Sequence, residues 1–157
     1  MSGFRPGVRL GIDVGKARIG VARCDRDGLL AVPVETVART DAAAAHIARL
    51  AEEYSAMELL VGLPISLSGG ETASTEDARA FAREVRAASG LEVRLVDERL
   101  STVSAHAALR DAGRSQRSSR RIVDQVAAVV LLQQAIDVEK STGAPAGAAL
   151  PDPQEPA

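Results

Sequence analysis

The sequence predicts an α/β domain built on a mixed β-sheet, and three features predict it. Near the N-terminus, apolar residues alternate with small or polar ones, which is the period of a β-strand. An Asp27-Gly28 pair lies between two apolar runs and is a strong signal for a hairpin. From residue 40 onward, helix-like and strand-like segments alternate. An antiparallel meander followed by such alternation implies a mixed sheet with helices on both faces.

The meander comes first and should contain three strands. In the first strand apolar residues alternate with Gly11 and Asp13, and the same period continues through a second strand around Val21. A third strand is predicted over residues 29–34, where Pro33 favours an edge position because proline donates no backbone hydrogen bond to a neighbour. The N-terminal part of the sheet is therefore expected to be antiparallel.

Helices and strands then follow one another, and glycine marks where two of the helices end. Gly90 and Gly113 stand directly after apolar-periodic segments, the position that helices favour for glycine. The predicted elements are, in order, a helix that Thr40 or Asp41 caps, a strand over 58–63, a helix over 74–88, a strand over 91–96, a helix that begins at Ser101 or Thr102 and ends near 112, and a long helix over 119–139.

Length and composition predict one soluble domain. The chain has 157 residues, of which 46% are hydrophobic and 25% charged, as in ordinary globular proteins. We expect a single domain over residues 1–140 and a disordered tail over 141–157, which holds four of the seven prolines. There is no signal-peptide pattern and no apolar run of roughly 18 residues, so no membrane partner is expected. The single Cys24 excludes an internal disulfide framework, which also favours a cytoplasmic protein.

The charge distribution suggests contact with phosphate. The net charge is −2, but residues 1–26 and residues 110–121 each carry a local charge of +4. Two basic patches on a nearly neutral chain are typical of a surface that contacts a nucleic-acid backbone, although solvated surface arginines explain them equally well. Aromatic residues make up only 2% of the chain, so stacking of bases on aromatic side chains is not the expected mode of binding.

Three carboxylates stand in apolar surroundings and are candidate metal ligands: Asp13, Glu98 and Asp124. Burial of an ionised carboxylate costs several kcal/mol unless the group is paired or bound to a metal. Three carboxylates suit hard cations such as Mg²⁺ or Mn²⁺, which prefer oxygen ligands. A pair of such ions activates water and stabilises the leaving oxygen in phosphodiester hydrolysis.

Each acid also has a structural interpretation, and spacing alone does not decide between the two. By spacing, Asp97 is as plausible an acid as Glu98. The structural alternatives are a hydrogen bond of Asp13 to backbone amides of the Gly15 turn, an ion pair of Glu98 with Arg94 or Arg99, and a helix ion pair of Asp124 with Arg120 or Arg121.

Four short motifs, in order over about residues 7–140, resemble the YqgF family. They are Gly11-Ile12-Asp13-Val14-Gly15 with Arg18-Ile19-Gly20-Val21-Ala22, Val61-Gly62-Leu63-Pro64, Asp97-Glu98-Arg99-Leu100-Ser101-Thr102, and Val123-Asp124-Gln125-Val126-Ala127-Ala128. Members of this family are described as pre-16S rRNA nucleases or Holliday junction resolvases. The resemblance implies a ribonuclease H-like fold, a five-stranded mixed sheet in the order 3-2-1-4-5 flanked by helices.

The resemblance also implies the site. It assigns catalysis and metal binding to Asp13, Glu98 and Asp124, prefers Glu98 to Asp97, and implies two Mg²⁺ or Mn²⁺ ions. The expected substrate-binding residues are Arg18, Arg99, Arg117, Arg120 and Arg121. Members of the family commonly carry lysines in the basic segment before the last helix, where this chain has arginines.

The implied function is metal-dependent hydrolysis of phosphodiester bonds in structured nucleic acid, most directly the processing of the 5′ end of pre-16S rRNA during ribosome biogenesis. The first alternative is resolution of Holliday junctions in branched DNA, for which a homodimer is expected rather than a monomer because two symmetric cuts need two sites. A non-catalytic ribosome-assembly factor is a second alternative. An ATPase related to the sugar kinases is a third, but it needs two such domains and this chain supplies one.

Overall fold

The computed structural model describes residues 3–66, 68–98 and 116–151, with side chains described from residue 125 onward in the last of these ranges. Its six strands form one mixed sheet in the order β3-β2-β1-β4-β5-β6. The predicted order 3-2-1-4-5 is confirmed, and a short sixth strand extends it. The strands are β1 (Val8–Val14), β2 (Arg18–Cys24), β3 (Ala31–Ala38), β4 (Ala56–Leu63), β5 (Glu92–Asp97) and β6 (Ala148–Ala149).

Strand directions change at β1, which lies between an antiparallel and a parallel neighbour. β1 pairs antiparallel with β2 and parallel with β4, and β4 pairs parallel with β5. β3 forms one edge of the sheet, as Pro33 predicted. Asp27-Gly28 lies in the connection between β2 and β3, but that loop spans residues 25–30 rather than two residues. Three backbone amides of the loop donate hydrogen bonds to the Asp25 carboxylate, which fixes the longer turn.

Helices cover both faces of the sheet, and each helix packs against the sheet with its apolar side. Helices α1 (Ala43–Glu53) and α2 (Ala73–Ser89) pack over one face, together with side chains such as Ile12, Val61 and Phe81. Helix α3 (Gln116–Thr142) packs over the other face, against Ala22 and Leu60. None of these described helices contains a stretch long and apolar enough to cross a membrane.

The helix boundaries agree with the sequence prediction for α2 and differ at the start of α1. Thr72 and Thr75 form a capping box at the start of α2, and Gly90 ends the helix in the left-handed conformation. Neither Thr40 nor Asp41 caps α1, whose N-cap is Ala42. The Thr40 hydroxyl accepts the Ala42 amide instead, one residue before the helix begins. The helix predicted from Ser101 or Thr102 to residue 112 lies outside the described residues.

The end of the chain contributes to the sheet, which differs from the disordered tail expected for residues 141–157. β6 pairs with the outer side of β5, and the Arg94 guanidinium donates to the carbonyls of Ala146 and Gly147. Leu150 is buried, and its amide donates to the Val93 carbonyl. These few contacts order a proline- and alanine-rich segment whose composition alone does not predict a strand. Residues 152–157 lie outside the described residues.

A buried ion cluster, formed by Arg5, Arg9, Glu58 and Glu139, joins the N-terminal segment to the C-terminal half of α3. The Glu139 carboxylate accepts hydrogen bonds from Arg9 Nη2 and Arg5 Nη2, each at 2.8 Å. Arg5 also donates to both carboxylate oxygens of Glu58, and the Phe4 ring lies 4.3 Å from the Arg9 guanidinium. The cluster therefore holds the C-terminal half of α3 against the N-terminal end of β1.

Candidate active site

Asp13 lies near the C-terminal end of β1, on the face that α3 covers, and it is half-buried. Residues that share a strand face are two apart, so Asp13 points to the same side as Gly11. The structural interpretation of Asp13 required the amide of the Gly15 turn as its partner. That amide donates to the Arg18 carbonyl at 2.9 Å. The Gly15 amide is therefore engaged within the turn, and Asp13 lies near the C-terminal end of a central strand.

Glu98 directly follows β5 and is buried, with 9% of its surface exposed. Its amide donates to the Leu63 carbonyl at 3.2 Å, which extends the pairing of β5 with β4 by one residue. A Cβ atom placed on Gly62, in β4, would overlap Oε2 of Glu98, so the carboxylate lies over Gly62. In the parallel register Ile12 of β1 pairs with Val61 of β4, which places Gly62 beside Asp13. The Glu98 carboxylate is thereby directed toward Asp13.

Asp13 and Glu98 interact directly, and their proximity changes the chemistry of Glu98. Burial, the charge of Asp13, a hydrogen bond with Asp13 and the charge of Asp97 all raise the pKa of Glu98, from 4.5 to about 9. The pair therefore binds a proton more tightly than a separate carboxyl group does, and a hydrogen bond joins the two acids. Two neighbouring carboxylates repel each other when both are ionised. A bound cation would replace the proton and remove this repulsion, so the pair is suited to bind a cation.

The structure distinguishes Glu98 from Asp97, which the spacing of the sequence could not do. Asp97 is exposed at the end of β5, and alternation along the strand turns it away from the face of Glu98. Arg94, one of the partners that an ion pair of Glu98 would require, is engaged by the carbonyls of the C-terminal segment. The other partner, Arg99, lies outside the described residues.

Asp124 lies on α3, whose path over the sheet follows from close contacts with β1. Arg9 binds Glu139, and a Cβ atom on Gly11 would lie 2.9 Å from both the Ala128 carbonyl oxygen and Leu132 Cβ. The helix therefore runs antiparallel to β1, and its earlier turns lie toward the end of the strand that carries Asp13. Asp124 is one turn before Ala128, on the part of α3 that is described by its backbone alone.

A groove of about 450 Å³ lies beside this site, between the edge strand β3 and α3. Arg18, predicted to bind substrate, lines it, together with Thr36 and Gln125. The Gln125 amide donates to the Thr36 hydroxyl at 2.8 Å and so joins α3 to β3. Sequence reasoning assigned no role to Thr36 or Gln125. The only available signal was that Gln125 directly follows Asp124 in the motif.

The other predicted substrate contacts are described only in part. Arg99, Ser101 and Thr102 lie outside the described residues, and of Arg117, Arg120 and Arg121 the structure gives the helix position in α3 but no side chain. In the loop after Pro64, the amides of Ser66, Gly69 and Gly70 donate to acceptors within the loop, so these three amides stabilise the connection between β4 and α2.

His46 and Cys24 both make structural contacts. His46 lies near the surface of α1, where Nε2 is 2.7 Å from Glu35 and Nδ1 is 3.3 Å from Arg49. Cys24 is buried against α3, and burial raises the pKa of its thiol. His106 lies outside the described residues.

The described donors fit a hard divalent cation but do not complete a site. No group of three or more metal-ligating side chains occurs among the side chains described between residues 3 and 151. Asp13 and Glu98 supply two carboxylates, the oxygen ligands that Mg²⁺ and Mn²⁺ prefer. A third carboxylate would have to come from a side chain that the structure does not describe, and the backbone of α3 brings Asp124 to this end of the sheet.

Comparison with known proteins identifies relatives over nearly the whole chain. The family model for RuvX, described as a Holliday junction resolvase, matches residues 7–138. A protein of Clavibacter sepedonicus, named "Putative pre-16S rRNA nuclease", is 55% identical over an alignment of 151 residues, and the match covers 94% of each chain. A protein of the same name from Streptomyces coelicolor is 49% identical over 147 residues, covering 92% of this chain and 88% of the relative.

Solved structures share the fold at much lower sequence identity. RuvC of Thermus thermophilus in complex with a Holliday junction substrate has a TM-score of 0.55 and 16% identity, covering 88% of this chain and 99% of that chain. A second structure of the same protein gives a TM-score of 0.54 and 17% identity. These structures support the ribonuclease H-like arrangement of the sheet and helices.

Proposed function

We propose that this chain, which belongs to the RuvX family, is a metal-dependent endonuclease that processes the 5′ end of pre-16S rRNA in the cytoplasm. The observation that carries the proposal is the acid pair formed by Asp13 and Glu98: the buried Glu98 carboxyl lies over Gly62 and next to Asp13 at the C-terminal end of a central strand. A buried pair of this kind weakens folding at neutral pH and has a clear chemical use as a cation site.

Asp13, Glu98 and Asp124 would hold the cation, each from a different element of the fold. When bound, two divalent ions supply an activated water and stabilise the leaving oxygen of a phosphodiester. The protein contributes position: β1 carries Asp13 and α3 carries Asp124, while the segment after β5 carries Glu98. Glu98 must lose its proton before it can serve as a ligand, and the cation provides the driving force for that loss.

The basic groups near the site would hold the phosphates on either side of the scissile bond. Arg18 lies at the edge of the groove between β3 and α3, next to the end of β1. Arg117, Arg120 and Arg121 belong to the first turns of α3, on the helix that carries Asp124. Contacts of this kind position a nucleic-acid strand without reading its sequence, which is what cleavage of a structured precursor requires.

Resolution of Holliday junctions is the second candidate function, because the matching family is described by that activity. The two candidates differ in geometry. A junction must be cut symmetrically, which needs two sites and therefore a dimer, whereas processing of one RNA end needs a single site. The mass of the protein in solution, free and with each substrate, therefore separates them.

A direct test compares two substrates under the same conditions. Purified protein is incubated with a pre-16S rRNA leader or a synthetic four-way junction, with Mg²⁺, Mn²⁺ or a chelator. We expect cleavage of the RNA that requires a divalent ion and is lost in Asp13→Asn but retained in Asp97→Asn. Cleavage of the junction alone would establish the resolvase instead. Binding of RNA without cleavage of either substrate would indicate a non-catalytic assembly factor.

A further inference from the structure

Gly62 occupies a position where the backbone does not require glycine. It lies inside β4, between the buried residues Val61 and Leu63, and pairs with Val96 of β5. Its φ is not in the left-handed region, so any L-residue could adopt the same conformation. Glycine within a strand lowers stability and commonly marks a place where another group approaches closely. The reason for glycine at this position must therefore be a neighbouring group.

The neighbouring group is the Glu98 carboxylate. A Cβ atom at position 62 would overlap Glu98 Oε2 and would lie 3.0 Å from Glu98 Cδ, so the carboxylate would have to move. Gly11, on the same face of the adjacent strand, differs in this respect. A Cβ atom there would meet the Ala128 carbonyl and Leu132, so Gly11 makes room for helix α3. Gly11 therefore allows the close approach of α3, and Gly62 allows the close approach of the Glu98 carboxylate.

We infer that Gly62 is a positioning residue for the acid pair: the absence of a side chain leaves the space that the Glu98 carboxylate fills beside Asp13. Any side chain at position 62 would push the carboxylate out of this space and away from Asp13. The effect acts through Glu98, since Gly62 offers no group of its own to a cation or a substrate. The inference rests on the proposed function only where it treats Glu98 as a metal ligand.

The first experiment measures the contact itself, in chelator and without substrate. Melting temperatures are compared for wild type, Gly62→Ala, Glu98→Ala and the double variant. We expect Gly62→Ala to lower the melting temperature by about 3–10 °C in the wild-type background, because forced overlap in a packed place is destabilising. In the Glu98→Ala background the same change should cost nothing, because the carboxylate is absent. Gly62→Ala that proves insoluble should regain solubility in the double variant.

The second experiment measures the consequence for a cation, with Mn²⁺ as the probe in calorimetric titration. Gly62→Ala should lower Mn²⁺ affinity about tenfold or more, the usual cost of misplacing a metal ligand. In the Glu98→Asp background the added methyl group should change affinity by no more than about twofold. The aspartate is one methylene shorter, so its carboxylate does not reach the new side chain. Gly70→Ala is the matched control, since a Cβ atom there would lie 3.3 Å from Ser66 Oγ, a contact that a shift of a few tenths of an ångström relieves and that does not involve Glu98.

The outcomes separate this inference from the proposed function. Equal costs of Gly62→Ala with and without the Glu98 carboxylate would overturn it and assign Gly62 to general packing, for example against Leu131. Unchanged Mn²⁺ affinity in Gly62→Ala would also overturn it. A wild-type protein that binds no Mn²⁺ would remove the metal from the proposed function. The melting experiment would then decide by itself whether Gly62 positions Glu98.

Discussion

A hydrogen bond joins Glu98 and Asp13 across the C-terminal ends of strands β5 and β1, in the space that Gly62 leaves open. The two acids come from opposite halves of the sequence and meet because β4 lies between their strands and has no side chain at that point. This pair determines most of what can be measured on the protein without substrate.

The metal-free protein should become less stable as the pH rises from about 4.5 to about 9. Burial and Asp13 raise the pKa of Glu98 to about 9 in the folded state, so the native protein holds a proton that the unfolded chain releases. For one proton the free energy of unfolding falls by up to about 1.4 kcal/mol per pH unit within this window. Urea unfolding of wild type and Glu98→Gln, in chelator at several pH values, measures the difference.

Glu98→Gln should remove the pH-dependent loss of stability that Glu98 causes. Its free energy of unfolding should therefore rise relative to that of wild type with each unit of increasing pH. Glu92→Gln is the control, because Glu92 is an exposed residue at the start of the same strand. Parallel curves for wild type and Glu98→Gln would show that Glu98 titrates in the same way in both states.

Mn²⁺ should raise the melting temperature of wild type, and Asp13→Asn should abolish the effect. A ligand present at 100 times its dissociation constant stabilises the native state by about 2.7 kcal/mol. Asp13→Asn keeps nearly the same shape and removes one charge, so without metal the variant should be as stable as wild type or more so. Asp97→Asn should have a much smaller effect than Asp13→Asn, because Asp97 is exposed and acts on Glu98 only through its charge. Strong destabilisation by Asp13→Asn in chelator would mark Asp13 as a structural acid.

Replacement of Arg117 and Arg120 by alanine should flatten the salt dependence of nucleic-acid binding. Each neutralised phosphate contributes about 0.9 to the slope of log affinity against log salt on duplex DNA, so the loss of two contacts should lower the slope by almost 2. The double variant Arg79→Ala/Arg83→Ala is the matched control, since these arginines lie on α2, over the other face of the sheet. An unchanged slope would assign Arg117 and Arg120 to the solvated surface.

Glu139→Ala should lower the free energy of unfolding by about 3–5 kcal/mol, because it leaves Arg9 buried without its carboxylate. Burial alone would raise the pKa of Glu139, but hydrogen bonds from Arg5 and the charge of Arg9 hold it below its ordinary value. Glu92→Ala, which removes an exposed partner 3.8 Å from Arg94, should change stability by no more than about 0.5 kcal/mol. A similar effect of both variants in urea unfolding would contradict a buried cluster.

The sheet was predictable because each strand carries its own period, while the site was predictable only in part. The strand order was predicted from three observations together: the alternation around Asp13, the apolar runs of β4 and β5, and the family resemblance. The choice between Glu98 and Asp97 depends on which of two adjacent residues faces α3, and a shift of one residue reverses that choice. The space over Gly62 could not be predicted at all, because it is created by three strands that are distant in sequence.

The errors have a common physical cause. The sequence did not predict β6 because its order comes from Arg94 and from pairing with β5 rather than from its own residues. Thr40 is a residue type that commonly caps helices, but its hydroxyl accepts the amide of Ala42, which precedes the first residue of α1. In both places a tertiary contact or a local turn overrides what the residue types indicate.

Helix α3 follows strands β1 to β5 in the sequence, so the ribosome makes these strands before the helix that covers one face of their sheet. Asp13 and the apolar face marked by Ala22, Cys24 and Leu60 are synthesised long before the helix that covers them. Arg9, in β1, has no Glu139 to bind until residue 139 has emerged. A nascent chain therefore exposes this face of its sheet and lacks Asp124 until α3 has been synthesised, so the face is open to aggregation and to chaperones. Under the proposed function, nuclease activity would start only after α3 has folded onto the sheet.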